Sequence, residues 1–77
     1  MDVVIRDAKT VTEYKNRRDA MEQQATRYYN AHRTACEDWQ DGEPSRALYS
    51  WDGSFVVEYT SGRWWHYRDT DNGVEWY

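Results

Sequence analysis

The sequence predicts an α+β fold, in which one long helix packs on a four- to five-stranded antiparallel sheet in the order β-α-β-β-β-β. Residues 10–41 contain no glycine or proline and carry apolar side chains at steps of three and four, which is typical of a helix. Residues 46–77 change to a period of two, interrupted by Asp52-Gly53, Ser61-Gly62 and Asn72-Gly73. Such turn signals between short apolar runs predict a meander of strands. The 77 residues suffice for a single domain.

Local signals define the first two elements. Three consecutive β-branched residues at 3–5 predict a short strand within residues 1–9. Thr10 and Glu13 have the spacing of a capping box, and the helix should stop at Asp41 because a glycine and a proline follow. Thirty helical residues would span ~45 Å, whereas a compact domain of this length is ~30 Å wide. We therefore expect an elongated shape, a break in the helix or a partner that covers the overhang.

The first hairpin of the meander allows two registers. A three-residue loop at 52–54 pairs Tyr49 with Val57 and groups the aromatic residues on one face. A two-residue Asp-Gly turn pairs Ser50 with Phe55, and the local turn chemistry favours this alternative. Because a shift of one residue inverts every side chain, the choice decides which face of the strand is buried.

The remaining loops complete the assignment of faces. A three-residue loop at 60–62 pairs Phe55 with Tyr67, and a four-residue loop at 70–73 pairs Tyr67 with Trp76. With the preferred first register, one face carries Tyr49, Trp51, Phe55, Val57, Tyr59, Trp65, Tyr67, Val74 and Trp76. The opposite face carries Leu48, Val56, Glu58, Trp64, His66, Arg68, Glu75 and Tyr77.

One helix can cover only one face of a sheet. Trp64, His66 and Tyr77 are therefore expected to lie exposed beside charged groups, which is typical of a binding hot spot. The alternative is that they pack under the segment 43–45 or against the N-terminal strand.

Charge is distributed unevenly along the chain. Residues 1–36 hold seven basic and five acidic groups, whereas residues 37–77 hold nine acidic and three basic groups. Four acidic residues cluster at the predicted C-terminus of the helix, where the helix dipole disfavours them: Glu37, Asp38, Asp41 and Glu43. Because the aromatic half is also the acidic half, a basic protein partner is favoured over a nucleic acid.

Catalytic and metal-binding motifs are absent from the sequence, so we predict a protein that is not an enzyme and needs no cofactor or metal. Cys36, the only cysteine, is better explained as a packed residue than as a nucleophile. His32 lies on the apolar stripe of the helix and is better explained as a core residue than as a ligand. The start of the chain shows neither a signal peptide nor a membrane span, so a cytoplasmic location is expected.

Seven residues of the last predicted hairpin and its flanking turns carry a resemblance to a known family: Gly62, Trp64, Tyr67, Arg68, Asp69, Gly73 and Trp76. The stretch resembles the terminal hairpin of some small phage-encoded anti-CRISPR proteins, which share the order strand, helix and antiparallel sheet. The resemblance implies a stoichiometric inhibitor that binds a Cas effector in the host cytoplasm and blocks nucleic-acid binding or cleavage. The acidic cluster would then mimic phosphate charge, and Trp64, His66 and Tyr77 would anchor the contact.

Two further functions remain open at this level. A small regulatory or antitoxin-like adaptor would use a homodimer to bury the helix overhang. A nucleic-acid-binding module would use the basic residues of the helix, although these spread around its circumference: Lys15, Arg17, Arg18, Arg27 and Arg33.

Overall fold

The computed structural model describes all residues, 1–77, and contains one helix and one sheet. The elements are β1 (Asp2–Val3), α1 (Val11–Ala35), β2 (Pro44–Tyr49), β3 (Phe55–Tyr59), β4 (Trp64–Thr70) and β5 (Gly73–Trp76). The strands lie in the order β1-β2-β3-β4-β5, and α1 packs on one face of the sheet. The predicted α+β class and element order are confirmed.

The sheet is mixed rather than wholly antiparallel. β1 pairs parallel to β2, with Asp2 opposite Arg46 and Val3 opposite Ala47. The Val4 amide extends this contact by donating to the Ala47 carbonyl at 2.9 Å. A parallel pair needs a crossover connection, and α1 provides it between β1 and β2. The other three strand pairs are antiparallel.

The helix begins as predicted and ends six residues early, at Ala35 instead of Asp41. At its start, the Thr10 hydroxyl accepts a hydrogen bond from the Glu13 amide at 3.0 Å, and the Glu13 carboxylate accepts one from the Lys9 amide. At its end, Cys36 adopts an extended conformation with φ −102° and ψ 124°. The 25 residues of α1 span about 37 Å. The molecule measures 42 × 29 × 20 Å, so the helix is unbroken and the chain has the elongated shape that was one of the three expected outcomes.

Burial of Trp39 explains the early end of the helix. The chain turns back after Cys36, and the Trp39 ring packs edge-on against His32 at 4.8 Å and Tyr59 at 5.1 Å. The Trp39 indole N–H also donates to the Gly42 carbonyl at 2.7 Å. A helix continued to residue 41 would give up these contacts, and the packing of the half-buried Trp39 outweighs the small helix propensities of residues 36–41.

Two of the three predicted hairpin registers are confirmed, and the first is wrong. β3 and β4 pair Phe55 with Tyr67, and β4 and β5 pair Tyr67 with Trp76. β2 and β3 pair Tyr49 with Phe55, so both registers considered for this hairpin are incorrect. The loop is residues 51–53, because the Ser50 amide donates to the Ser54 carbonyl at 2.8 Å. The shift from the preferred register is two residues, which keeps every strand residue on its predicted face.

The core is built largely from aromatic rings. Its buried residues are Met21, Ala25, Tyr28, Ala47, Phe55, Val57, Tyr59 and Tyr67. The Tyr28 ring stacks on the Tyr67 ring with centroids 5.1 Å apart. His32 is buried between Trp39, Trp65 and Trp76, the last stacked on it at 4.3 Å. Burial lowers the pKa of His32, so the ring stays neutral in the folded chain.

Candidate functional site

The face of the sheet away from α1 carries a row of side chains across four strands. Leu48 of β2 is opposite Val56, Val56 is opposite His66, and the backbones of His66 and Tyr77 exchange two hydrogen bonds of 3.0 and 3.1 Å. Because paired residues share a face, all four side chains point to the same side of the sheet. Trp64 lies one position along the same face, opposite Glu58.

Aromatic side chains on this face are strongly exposed. Trp64 is 61% exposed and Tyr77 is 48% exposed, whereas His66 is half-buried. Trp51, at the tip of the β2–β3 hairpin, is 96% exposed. We call Trp51, Trp64, His66 and Tyr77 the outer aromatic surface. The alternative, in which the segment 43–45 or the N-terminal strand covers Trp64, His66 and Tyr77, is wrong, because Trp64 and Tyr77 are exposed.

A shallow groove of about 400 Å³ runs between the two tryptophans. Trp51 and Trp64 line it together with the half-buried Leu48 and the buried Val56, which form its apolar floor. An apolar floor with aromatic walls favours the insertion of an apolar side chain from a partner.

Polar contacts hold the hairpin tip against β4. The Ser54 hydroxyl donates to Asp52 Oδ1 at 2.6 Å and lies 2.8 Å from His66 Nδ1. The Ser54 amide also donates to Asp52 Oδ1 at 3.0 Å. The His66 ring stacks on the Tyr77 ring, with centroids 5.0 Å apart and planes 10° from parallel. The Tyr77 hydroxyl donates to Asp52 Oδ2 at 3.4 Å. These contacts fix the His66 and Tyr77 rings before any partner arrives, which lowers the entropy cost of binding through them.

The same three residue types occur in a catalytic triad, but the order differs. In a triad the histidine lies between serine and carboxylate and takes the serine proton. Here Ser54 lies between Asp52 and His66. A hydroxyl has one proton, and the shorter contact directs it to the Asp52 carboxylate, so His66 Nδ1 donates to Ser54. His66 therefore cannot activate Ser54 as a nucleophile, and the cluster is a structural clamp.

The clamp predicts an unusual titration of Asp52. The Ser54 hydroxyl and then the Ser54 amide lower the pKa of Asp52 to about 2. We expect carbonyl ¹³C NMR to place the midpoint of this carboxyl near pH 2, so the clamp persists until the pH falls to that value. Ser54→Ala removes the hydroxyl and should raise the pKa towards the ordinary 3.8. Ser45→Ala is the matched control, since the Ser45 hydroxyl bonds the Glu58 carbonyl instead. A midpoint near 3.8 in the intact chain would disprove the clamp.

Charged side chains around the outer aromatic surface are paired. Arg46 and Glu58 lie 2.9 Å apart, and Arg68 and Glu75 lie 3.2 Å apart. The Arg68 guanidinium also lies 5.4 Å from the centre of the Tyr77 ring. Exposed pairs of this kind contribute little to stability. Each pair joins one positive and one negative side chain, so the two pairs add no net charge next to the aromatic rings.

The four acidic residues of the predicted cluster lie in the connection between α1 and β2, after the end of the helix. Glu37, Asp38 and Glu43 are exposed. Asp41 is buried, and its carboxylate accepts hydrogen bonds from the Trp65 indole at 3.1 Å and the Ser61 hydroxyl at 3.2 Å. Asp41 thus anchors the connection to the sheet and is not available to a partner. Because the helix ends at Ala35, its negative C-terminus lies next to Glu37 and Asp38 and still disfavours their charge.

No protein-family model, curated protein or solved structure matches this chain. No group of three or more histidine, cysteine, aspartate or glutamate side chains lies close enough together to hold a metal ion. The helix lacks the long apolar stretch that a bilayer crossing requires. The interpretation of function therefore depends on the surface of the molecule.

Trp51 is the surface residue that the sequence analysis missed. Its assignment to the helix-facing side of the sheet is wrong, because it lies in the loop of the first hairpin. The sequence does contain a signal. Gly62 is the last residue of the three-residue loop 60–62. A loop of the same form that ends at Gly53 would cover residues 51–53 and would include Trp51. Both glycines have positive φ, 90° and 86°.

Proposed function

We propose that this protein acts by binding a protein partner through the outer aromatic surface, as a stoichiometric inhibitor without catalysis. The observation that carries the proposal is the near-complete exposure of Trp51 beside Trp64 over an apolar groove. Tryptophan and tyrosine dominate binding hot spots because they bury a large area at low entropy cost. The clamp through Ser54 and Asp52 supports the proposal, since it holds the His66 and Tyr77 rings of this surface in one arrangement.

The charge of the chain supports a basic partner. The net charge is −4, and Glu37, Asp38 and Glu43 are exposed acidic groups. The connection that carries them adjoins the turn before Trp64, because Glu43 and Thr60 are joined by two hydrogen bonds. Glu43 therefore lies near the aromatic anchor, where an acidic group orients a positively charged partner, and Glu37 and Asp38 add to the charge that steers it.

Within this proposal, the partner is a host defence complex, namely a Cas effector whose basic channel holds nucleic acid. The support is the resemblance to anti-CRISPR proteins, from which we further propose a phage origin and action in the host cytoplasm. Of the residues that carry the resemblance, Trp64 and Arg68 lie on the outer face, whereas Tyr67 and Trp76 pack in the core. Trp64 is therefore the first candidate for an inhibitory contact.

The two other functions receive less support. The adaptor hypothesis relied on an overhang of a helix that ends at residue 41, and α1 ends six residues earlier, at Ala35. The nucleic-acid hypothesis relied on free basic groups on the helix. Arg17 is paired with Glu13 at 2.8 Å, Arg27 with Asp69 at 2.9 Å and Arg18 with its neighbour Asp19 at 3.4 Å.

The test measures binding to purified guide-loaded Cas effectors by co-elution and biolayer interferometry. Trp64→Ala and Trp51→Ala should each weaken binding about 30-fold, the equivalent of a 2 kcal/mol hot spot. Rising salt should slow the association of the intact chain. Tyr14→Ala is the matched control, because Tyr14 is an exposed aromatic residue on α1, outside the outer aromatic surface.

Two outcomes would count against the proposal. Equal losses from Tyr14→Ala and Trp64→Ala would show that the outer aromatic surface is not the contact. Absence of co-elution with every effector tested would remove the Cas effector as partner. Glu37→Lys combined with Asp38→Lys tests the acidic groups separately. Unchanged binding in that variant would confine the contact to the aromatic residues.

A further inference from the structure

The strand β5 forms a free edge of the sheet. Its pairing with β4 is antiparallel, and the Tyr77 amide and carbonyl both bond His66. Because hydrogen-bonding direction alternates along a strand, Glu75 faces β4 in the same way, whereas Val74 and Trp76 direct their amides and carbonyls away from the sheet. None of these four outward groups has a partner in the chain. An edge of this kind is a template for one more strand.

A second copy of the chain is a poor occupant of this edge. Two β5 strands related by a two-fold axis use all four outward groups on each side only when Val74 lies opposite Trp76 of the other copy. That register places Glu75 directly opposite Glu75 of the second copy. Like charges at opposed positions destabilise a strand pair, and a charged residue at mid-edge is a common protection against self-association.

The same glutamate favours a partner of opposite charge. The Glu75 carboxylate accepts hydrogen bonds from the Arg68 guanidinium at 3.2 and 3.3 Å on one side. A lysine or arginine on an added strand would approach the carboxylate from the other side and complete a cross-strand ladder. On the opposite face of β5, Val74 and Trp76 are half-buried. Apolar residues on either side of the lysine or arginine in the added strand could pack against them.

We propose that the β5 edge binds an extended segment of the partner protein as an antiparallel sixth strand, with a lysine or arginine opposite Glu75. The identity of the partner rests on the proposed function, whereas the ability of the β5 edge to bind an added strand does not. Tyr77 continues from β5 onto the outer aromatic surface. The added strand would therefore extend the same interface.

The test uses the chain itself as the source of a basic strand. Glu75→Lys presents a lysine at mid-edge, so an equimolar mixture with the intact chain should form a heterodimer. Analytical ultracentrifugation and native mass spectrometry should show each protein alone as a monomer, and an association in the mixture at least tenfold tighter than either self-association. Val74→Pro in both components should abolish the heterodimer. It removes an outward amide and leaves the ladder to β4 complete.

A peptide keeps the test decisive if Glu75→Lys fails to fold without its pair to Arg68. Titration of the ¹⁵N-labelled intact chain with acetyl-Thr-Val-Lys-Val-Thr-amide should shift the Val74 and Trp76 amide resonances, and the peptide with glutamate in place of lysine should not. Absence of both the heterodimer and the shifts would overturn the edge proposal. That result would leave the effect of Trp64→Ala on partner binding unchanged, so the two proposals fail separately.

Discussion

Tyr67→Phe is expected to lower the free energy of unfolding by roughly 3 kcal/mol, because it orphans two buried polar groups at once. The Tyr67 hydroxyl lies 2.7 Å from His32 Nδ1 and 2.6 Å from the Tyr59 hydroxyl. All three side chains are buried. Loss of the central hydroxyl leaves neither neighbour with a replacement, and each unsatisfied group costs about 1–3 kcal/mol. Equilibrium denaturation in urea, followed by tryptophan fluorescence, measures the change.

Two further tyrosine variants separate the hydrogen-bond chain from simple loss of a hydroxyl. Tyr59→Phe removes the end of the chain and leaves Tyr67 bonded to His32, so its effect should be about half as large. Tyr77→Phe removes an exposed hydroxyl with a 3.4 Å contact and should change stability by less than about 0.5 kcal/mol. If Tyr67→Phe were no more harmful than Tyr77→Phe, the buried chain would not contribute to stability.

Desolvation explains why this chain of groups stays uncharged. Burial raises the pKa of Tyr59 to about 12 and raises that of Tyr67 further still. It lowers the pKa of His32. All three shifts favour the neutral form, and the neutral forms satisfy one another by hydrogen bonds. The position of His32 on the apolar stripe of the helix predicted a core residue. Its hydrogen-bond partner Tyr67 could not be predicted from the helix, because that residue lies on the sheet and its place depends on the strand registers.

The hairpins show how much of the fold could be predicted. The registers of the last two hairpins were predicted from their loops and are confirmed, although the last loop is residues 71–72 and not 70–73, because Thr70 pairs with Gly73. The first register was wrong in both forms, because the preferred one grouped Trp51 with the buried aromatic residues and the two-residue Asp-Gly turn would have inverted the faces. Gly53 at the end of a three-residue loop makes the same hydrogen bonds as Gly62. Hydrophobic grouping therefore placed the strand residues on the correct faces, but neither it nor the Asp-Gly turn gave the three-residue loop in which Trp51 is exposed.

The end of the helix could not be predicted from local signals. Residues 36–40 contain no glycine or proline, and the chain leaves the helix so that Trp39 and Asp41 can reach the sheet. That gain depends on where Tyr59 and Trp65 lie, which only the folded sheet defines. Trp64, His66 and Tyr77 were placed together because they share strand parity. The burial of Asp41 could not be predicted in this way, because its hydrogen-bond partners Ser61 and Trp65 are distant in sequence.

Gly42→Ala is expected to be the most destabilising glycine substitution, at roughly 4 kcal/mol. Gly42 has φ +79°, a conformation that costs an alanine about 1–2 kcal/mol. An added methyl group would also collide with the Thr60 hydroxyl. That hydroxyl cannot move freely, because it accepts the hydrogen bond of the Glu43 amide at 3.2 Å. The connection that holds Trp39 and Asp41 would be pushed away from the sheet.

A matched glycine isolates the collision from the backbone strain. Gly53 has φ +86° and open space around the added methyl group, so Gly53→Ala should cost only about 1–2 kcal/mol. In a Thr60→Ala background, the cost of Gly42→Ala should fall to the same level, because the colliding atom is gone. Urea denaturation of the four proteins in this cycle measures the coupling. Equal costs of Gly42→Ala with and without Thr60 would show that backbone conformation alone requires glycine here.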